Sequence, residues 1–131
     1  MDWKAVQEDA VRYQERSRIP MPNPAITAET LSGGNLQRIV LIRELGQRHK
    51  LVVAFYPTQA LDLPTAVAAR QLLVEARDEG AGVLLISEDL DELFTLSDTI
   101  LVLCAGRIAG RFRPDETTRD AVGHLMTGSV A

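Results

Sequence analysis

The sequence predicts an α/β layered fold, and three observations carry that prediction. Two short apolar runs, LVVAF at 51–55 and VLLIS at 83–87, are separated by a long helical pattern, and glycine or proline punctuates the places where each element must end. A near-continuous apolar run of five residues is the mark of a parallel strand covered on both faces, since a strand with one wet face alternates. The chain has 131 residues, 46% hydrophobic and 24% charged, which suits one globular unit or a piece of a larger one and excludes a disordered segment.

Each element follows in order. Residues 2–17 place Trp3, Val6, Ala10 and Tyr13 three or four apart with charges between them, which predicts an amphipathic helix with those residues inward. Pro20, Pro22 and Pro24 then stop it, and RIPMPNPAITAET reads as an extended connector because each proline removes a donor and biases its predecessor away from helix. From Gly33 to about Gln47 the residues Leu36, Ile39, Val40, Ile42 and Leu45 predict a helix that is mostly buried. The strand at 51–55 and a loop at PTQALD lead into a second long helix over 63–79, with Val67, Ala69, Leu73 and Ala76 inward and Gly80 and Gly82 closing it. After the strand at 83–87, Ser87 is placed to cap a short acidic-started helix that points Leu90, Leu93 and Phe94 inward. TILVLCAGRIAGRF reads as a hairpin turning near Ala105 and Gly106, and a last helix spans about 117–126.

Charge and composition exclude several classes of function. The net charge is -4 and no long basic run occurs, so there is no footprint for nucleic acid or for an anionic membrane surface. The single cysteine, Cys104, lies inside ILVLC and reads as a small buried hydrophobe, which fits a reducing, cytoplasmic setting. The N-terminus MDWKAVQEDA lacks the basic and apolar regions of a signal peptide, and no run is long enough to cross a bilayer.

The residues that carry chemistry lie at LSGGNLQR, 31–38. A helix opening at Gly33 presents unpaired backbone N–H groups and the positive end of its dipole, and Ser32 adds a hydroxyl at the cap position. Adjacent glycines let the backbone approach an anion with no Cβ in the way. The same three residues also make an ordinary capped turn, so in isolation the motif leaves both readings open.

The context of this motif extends over almost the whole chain. LSGGNLQRIVLIREL, an apolar strand, PT, ALD, a second apolar strand ending in serine, and SEDLDEL resemble, in order and spacing, the ATP-binding subunits of ABC transporters. The LSGGN form resembles the second nucleotide-binding half of the fused ATPases that serve sugar and nucleoside importers, and SEDLDEL and GHLMTG lean toward the nucleoside branch. The resemblance implies that Leu31, Ser32, Gly33, Gly34 and Asn35 form the ABC signature, with Gln37 in its extension, and that they contact in trans an ATP held mainly by another domain. It assigns Asp62 to the D-loop at the contact between two such domains, although the residue is equally placed to cap the helix at 63.

The pattern is broken at three places. The family's catalytic strand ends in Asp-Glu before Pro-Thr, because magnesium needs an oxygen-bearing neighbour and the attacking water a carboxylate; Phe55 and Tyr56 stand there. A histidine follows the serine of the next strand in the family, and Glu88 stands there, where a carboxylate would repel a γ-phosphate. These residues also have a plain reading, Phe55 and Tyr56 as packing residues and Glu88 as a helix-start acid. No G-x-x-x-x-G-K-[ST] occurs, so the loop that cradles the β- and γ-phosphates is missing.

The expectation is therefore an α/β partial ABC-type nucleotide-binding domain, with a mostly parallel sheet, flanking helices and part of the helical subdomain. Residues 1–30 are its helical-subdomain remnant and connector, and 31–131 carry the signature, degenerate Walker B, D-loop, degenerate H-loop, hairpin and final helix. ATP and Mg2+ are expected on a partner domain, with none bound by this chain alone, no metal site and no catalytic residue of its own. The expected partners are a complete nucleotide-binding domain or the upstream half, and membrane permease subunits at the inner face of the cell membrane. In isolation the expected state is a homodimer or swapped oligomer, because strands beside a missing portion expose apolar faces. A truncated, catalytically silent interaction module is the alternative.

Overall fold

Two glycine-free helical patterns and one glycine-started helix build the first part of the chain, and the computed structural model describes residues 2–22 and 26–128. Helix α1 (Trp3–Ser17) is capped by the Asp2 carboxylate, which accepts from the N–H groups of Lys4 and Ala5. It ends at Arg18, whose left-handed backbone (φ 56°) turns the chain and delivers Ile19 fully buried. A single 3-10 turn at Ala28–Thr30 interrupts the proline-rich connector, and Pro24 lies outside the described residues.

Helix α2 (Gly33–Leu45) runs to Gly46, where a Cβ would sit 2.9 Å from the Cβ of Tyr13, so glycine there lets α1 pack closely on α2. Strand β1 (Leu51–Phe55), helix α3 (Leu63–Asp78) and strand β2 (Gly82–Ile86) form a βαβ unit with parallel register Leu51 to Gly82 through Phe55 to Ile86. Gly80, at φ 96°, closes α3 in the left-handed conformation that a side chain disfavours. Helix α3 packs against β2 and buries Ala66, Ala69, Leu72 and Leu73.

The chain divides into two compact units, Met1–Ile86 and Ser87–Ala131, where the composition suits one. In the second, helix α4 (Leu90–Leu96), the antiparallel hairpin β3 (Ile100–Cys104) and β4 (Arg107–Phe112), and helix α5 (Arg119–Met126) enclose their own core. Ile100, Val102 and Val122 lie at its centre, with Leu90, Leu93, Phe94, Phe112, Leu125 and Met126 against them. The hairpin turns at Ala105 and Gly106, both at positive φ, as the sequence predicts.

Several inward assignments do not hold. Trp3 is 69% exposed, and Val6, Leu36, Val40 and Val67 are exposed too, so the apolar stripes of α1, α2 and α3 are only partly covered. Asp89, not Ser87, caps α4; the Ser87 hydroxyl instead accepts from the Asp89 N–H and orders the turn before the cap. Cys104 is half-buried, because it ends β3 beside the turn where its own strand runs out. The β1–β2 sheet is covered on one face only: Val52 and Ala54 are buried, while Leu51, Val53, Phe55, Leu84 and Ile86 are exposed on the other.

Candidate functional site

The N-terminus of α2 is built by the residues that precede it. The 3-10 turn leaves Leu31 and Ser32 extended, and Ser32 then closes the helix start: its Oγ accepts from the Asn35 N–H at 3.3 Å and its carbonyl from Leu36. The Gly33 and Gly34 N–H groups fall before the first intrahelical acceptor, as in any first turn. The two glycines then differ. A Cβ on Gly33 would meet nothing within 4 Å, whereas one on Gly34 would sit 2.9 Å from the Ala60 carbonyl. Gly33 thus faces open space, and Gly34 faces the chain's own loop.

That loop spans 56–62 and is the second part of the site. It leaves β1 through the Tyr56 N–H, which donates to the Ile86 carbonyl, and folds with Gln59 N–H donating to Tyr56 and Leu61 N–H to Thr58. Tyr56 and Ala60 both have positive φ (47° and 62°), a costly conformation for residues with a Cβ. Asp62 ends the loop as the N-cap of α3, with Oδ1 accepting from the Thr65 N–H at 2.9 Å. Both options left open by the sequence bear on this residue, and the capping one is present.

Helix α2 touches the loop directly. Gln37 Nε2 donates to the Pro57 carbonyl at 3.2 Å, and the Arg38 guanidinium pairs with the Asp62 carboxylate. Hydrogen bonds from Thr65, side chain first and then backbone N–H, hold the Asp62 carboxyl below its ordinary value of 3.8, with the Arg38 charge adding to the effect. Arg38 is a residue that the sequence reasoning misses. The signal for it is spacing: positions 34, 37 and 38 share one helix face, so a glycine turned toward the loop turns Arg38 toward it as well.

At the end of β1 the two aromatic side chains meet each other, ring centroids 4.5 Å apart and nearly perpendicular, with Phe55 68% exposed. Neither provides a carboxylate oxygen, and among the described residues no group of three or more His, Cys, Asp or Glu could hold a metal ion. The residues present therefore do not fit magnesium at this position. Glu88 lies in the other unit, exposed, in the turn that leads to the Asp89 cap. That unit also buries Glu92 to 1% exposure, an acid that the sequence reading of α4 passes over because its neighbours Asp89 and Asp91 already satisfy the helix start.

No family model matches the chain. The chain is 43% identical over 102 residues to the glucose import ATP-binding protein TsgD13 of Haloferax volcanii, a match covering 78% of this chain and 18% of that protein. To the nucleoside import ATP-binding protein NupA of Lactococcus lactis it is 34% identical over 128 residues, 98% of this chain and 25% of that one. To the guanosine import ATP-binding protein NupO of Bacillus subtilis it is 41% identical over 109 residues, 83% and 21%. The chain thus spans a quarter or less of the length of these relatives.

Among solved structures, the ATP-binding cassette MJ0796 in a dimeric post-hydrolysis state bound to ADP and Pi matches with a TM-score of 0.75 and 23% identity, over 87% of this chain and 49% of that chain. The ATP-binding subunit of an ABC transporter matches with a TM-score of 0.77 and 19% identity, over 92% and 55%. At those identities the likeness is one of fold, and it extends over part of each cassette. Sequence and fold converge: the chain corresponds to a portion of the ATP-binding proteins of sugar and nucleoside ABC importers.

Proposed function

We propose that this chain supplies the signature half of a composite ATP site, with Leu31, Ser32, Gly33, Gly34, Asn35 and Gln37 facing a nucleotide held by another domain, while its own site is degenerate at Phe55, Tyr56 and Glu88. The observation that carries the reading is the N-terminus of α2: a serine-capped first turn whose leading glycine has open space around it. Further along the chain, the strand that would supply the metal's carboxylates ends at Phe55, with Tyr56 directly after it. The capped turn supports donation to a phosphate held elsewhere, and the aromatic pair supports the loss of the chain's own metal carboxylates.

Asp62 then serves twice, as the cap of α3 and as the D-loop residue at the contact with the second cassette. In this reading the exposed face formed by Leu51, Val53, Phe55, Leu84 and Ile86 receives the upstream part of a nucleotide-binding domain, which brings the phosphate-cradling loop. The assembly works with permease subunits to import a sugar or nucleoside, and the chain sits at the cytoplasmic face of the membrane. No described helix is long and apolar enough to cross a bilayer.

The test uses the chain assembled with a complete partner cassette. Gly33→Asp puts a carboxylate where the γ-phosphate is placed, and ATP hydrolysis should fall at least about tenfold, since like charges brought together across an interface cost several kcal/mol. An unchanged rate rejects the signature assignment. Gly34 is the wrong position for this experiment, because any side chain there meets the Ala60 carbonyl before it meets a ligand.

The second reading, a silent interaction module, draws on the same apolar face, which favours association whether or not ATP is present. Equilibrium dialysis with ATP separates the two. Binding absent with the chain alone and tighter for the partner cassette with the chain than without it supports the composite site; partner affinity for ATP that the chain leaves unchanged supports the module.

A further inference from the structure

We propose that Arg38 is a positioning residue which, with Gln37, clamps the 56–62 loop onto α2, so that the start of α2 and the Asp62 turn form one rigid block. The loop needs an external hold. Two of its seven residues, Tyr56 and Ala60, are non-glycine residues in the left-handed region, and two of its internal backbone bonds, Gln59 to Tyr56 and Leu61 to Thr58, are 3.2 and 3.3 Å long. Helix α2 meets it at three points spread along its length. Gln37 Nε2 donates to the Pro57 carbonyl near the start, Gly34 lies against the Ala60 carbonyl in the middle, and Arg38 pairs with Asp62 at the end.

The three contacts come from one face of one helix, at positions i, i+3 and i+4. Shifting α2 therefore shifts all three together. The Arg38 side chain is 23% exposed against 52% for Asp62, so the pair is anchored from the helix side and reaches outward to the loop. Gly34 sets the approach distance, because any Cβ would push Ala60 away, and Arg38 holds the loop at that distance. That the block then meets a partner's nucleotide rests on the composite-site reading above; the clamp itself does not.

Residue-resolved hydrogen exchange on the 131-residue chain, without nucleotide or partner, tests the clamp. In Arg38→Met the Gln59 and Leu61 amides should exchange about fivefold faster, the scale of losing one good ion pair, with the Tyr56 amide on Ile86 and the Thr65 amide on Asp62 unchanged. Arg38→Lys should recover part of the protection, since an ammonium still pairs with one carboxylate oxygen but lacks the guanidinium fork. Asp62→Asn, which keeps a cap oxygen and removes the charge, should reproduce the Gln59 and Leu61 acceleration with Thr65 still protected, and it stands in if Arg38→Met does not fold.

Unchanged Gln59 and Leu61 exchange in these variants overturns the clamp. So does acceleration shared equally with Leu72 and Leu73 in α3, which would make Arg38 a general stability residue. Neither result touches the composite site, which stands or falls on Gly33→Asp.

Discussion

The two faces of the β1–β2 sheet carry the same kind of residue and meet opposite fates. Val52 and Ala54 are buried at 9% and 8% exposure, while Val53, between them, is 58% exposed with Leu51, Phe55, Leu84 and Ile86 on its side. An ordinary half-wet strand would carry polar residues on the second face, and this one does not. The contrast shows that the strand sequence is written for two covers, of which the described residues supply one.

Adjacent substitutions turn that contrast into a measurement. Ala54→Glu places a carboxylate in the covered face with no partner and too little room, and should destabilise the chain by about 3 kcal/mol or more in urea unfolding. Val53→Glu, one residue earlier, should shift stability by only about 0.5 kcal/mol and should lower self-association measured by light scattering. Equal costs at 53 and 54 would mean that the open face is covered in solution, by a second copy or by this chain itself. A wild-type chain that stays monodisperse and monomeric at high concentration would weaken the case for a missing cover.

Much of this was legible in the residues. The order of helices and strands, the hairpin turn at Ala105 and Gly106, and the Ser32 cap each follow from a local rule that the sequence states directly: apolar period, a glycine at positive φ, a hydroxyl before a helix. The inward assignment of Trp3, Leu36, Val40 and Val67 failed because periodicity reports which face is apolar, and what lies against that face is decided elsewhere. Ile19 went unread for a related reason. It stands alone among prolines, and only the left-handed turn at Arg18 brings it to the core. In the candidate site the serine-capped turn that starts α2 was readable from LSGG, whereas the Gln37 and Arg38 contacts join residues 20 and 24 apart in sequence, beyond the reach of any local pattern.

The smallest expected effect concerns Asp62, where the cap and the ion pair compete as explanations for one depressed carboxyl. Because its folded value lies below 3.8, the stability it contributes is fully present above that pH and is lost as pH falls through the folded value. The Thr65 hydrogen bonds outrank the Arg38 charge as the cause, so an Arg38→Met chain followed by carboxyl NMR should show Asp62 moving only part of the way back toward 3.8. Asp62 would then still cap α3 at neutral pH without its cation, and the loop would loosen while the helix start stayed intact. A full return to 3.8 would assign the depression to Arg38 instead, and would tie the cap of α3 to α2 more tightly than the Thr65 geometry alone requires.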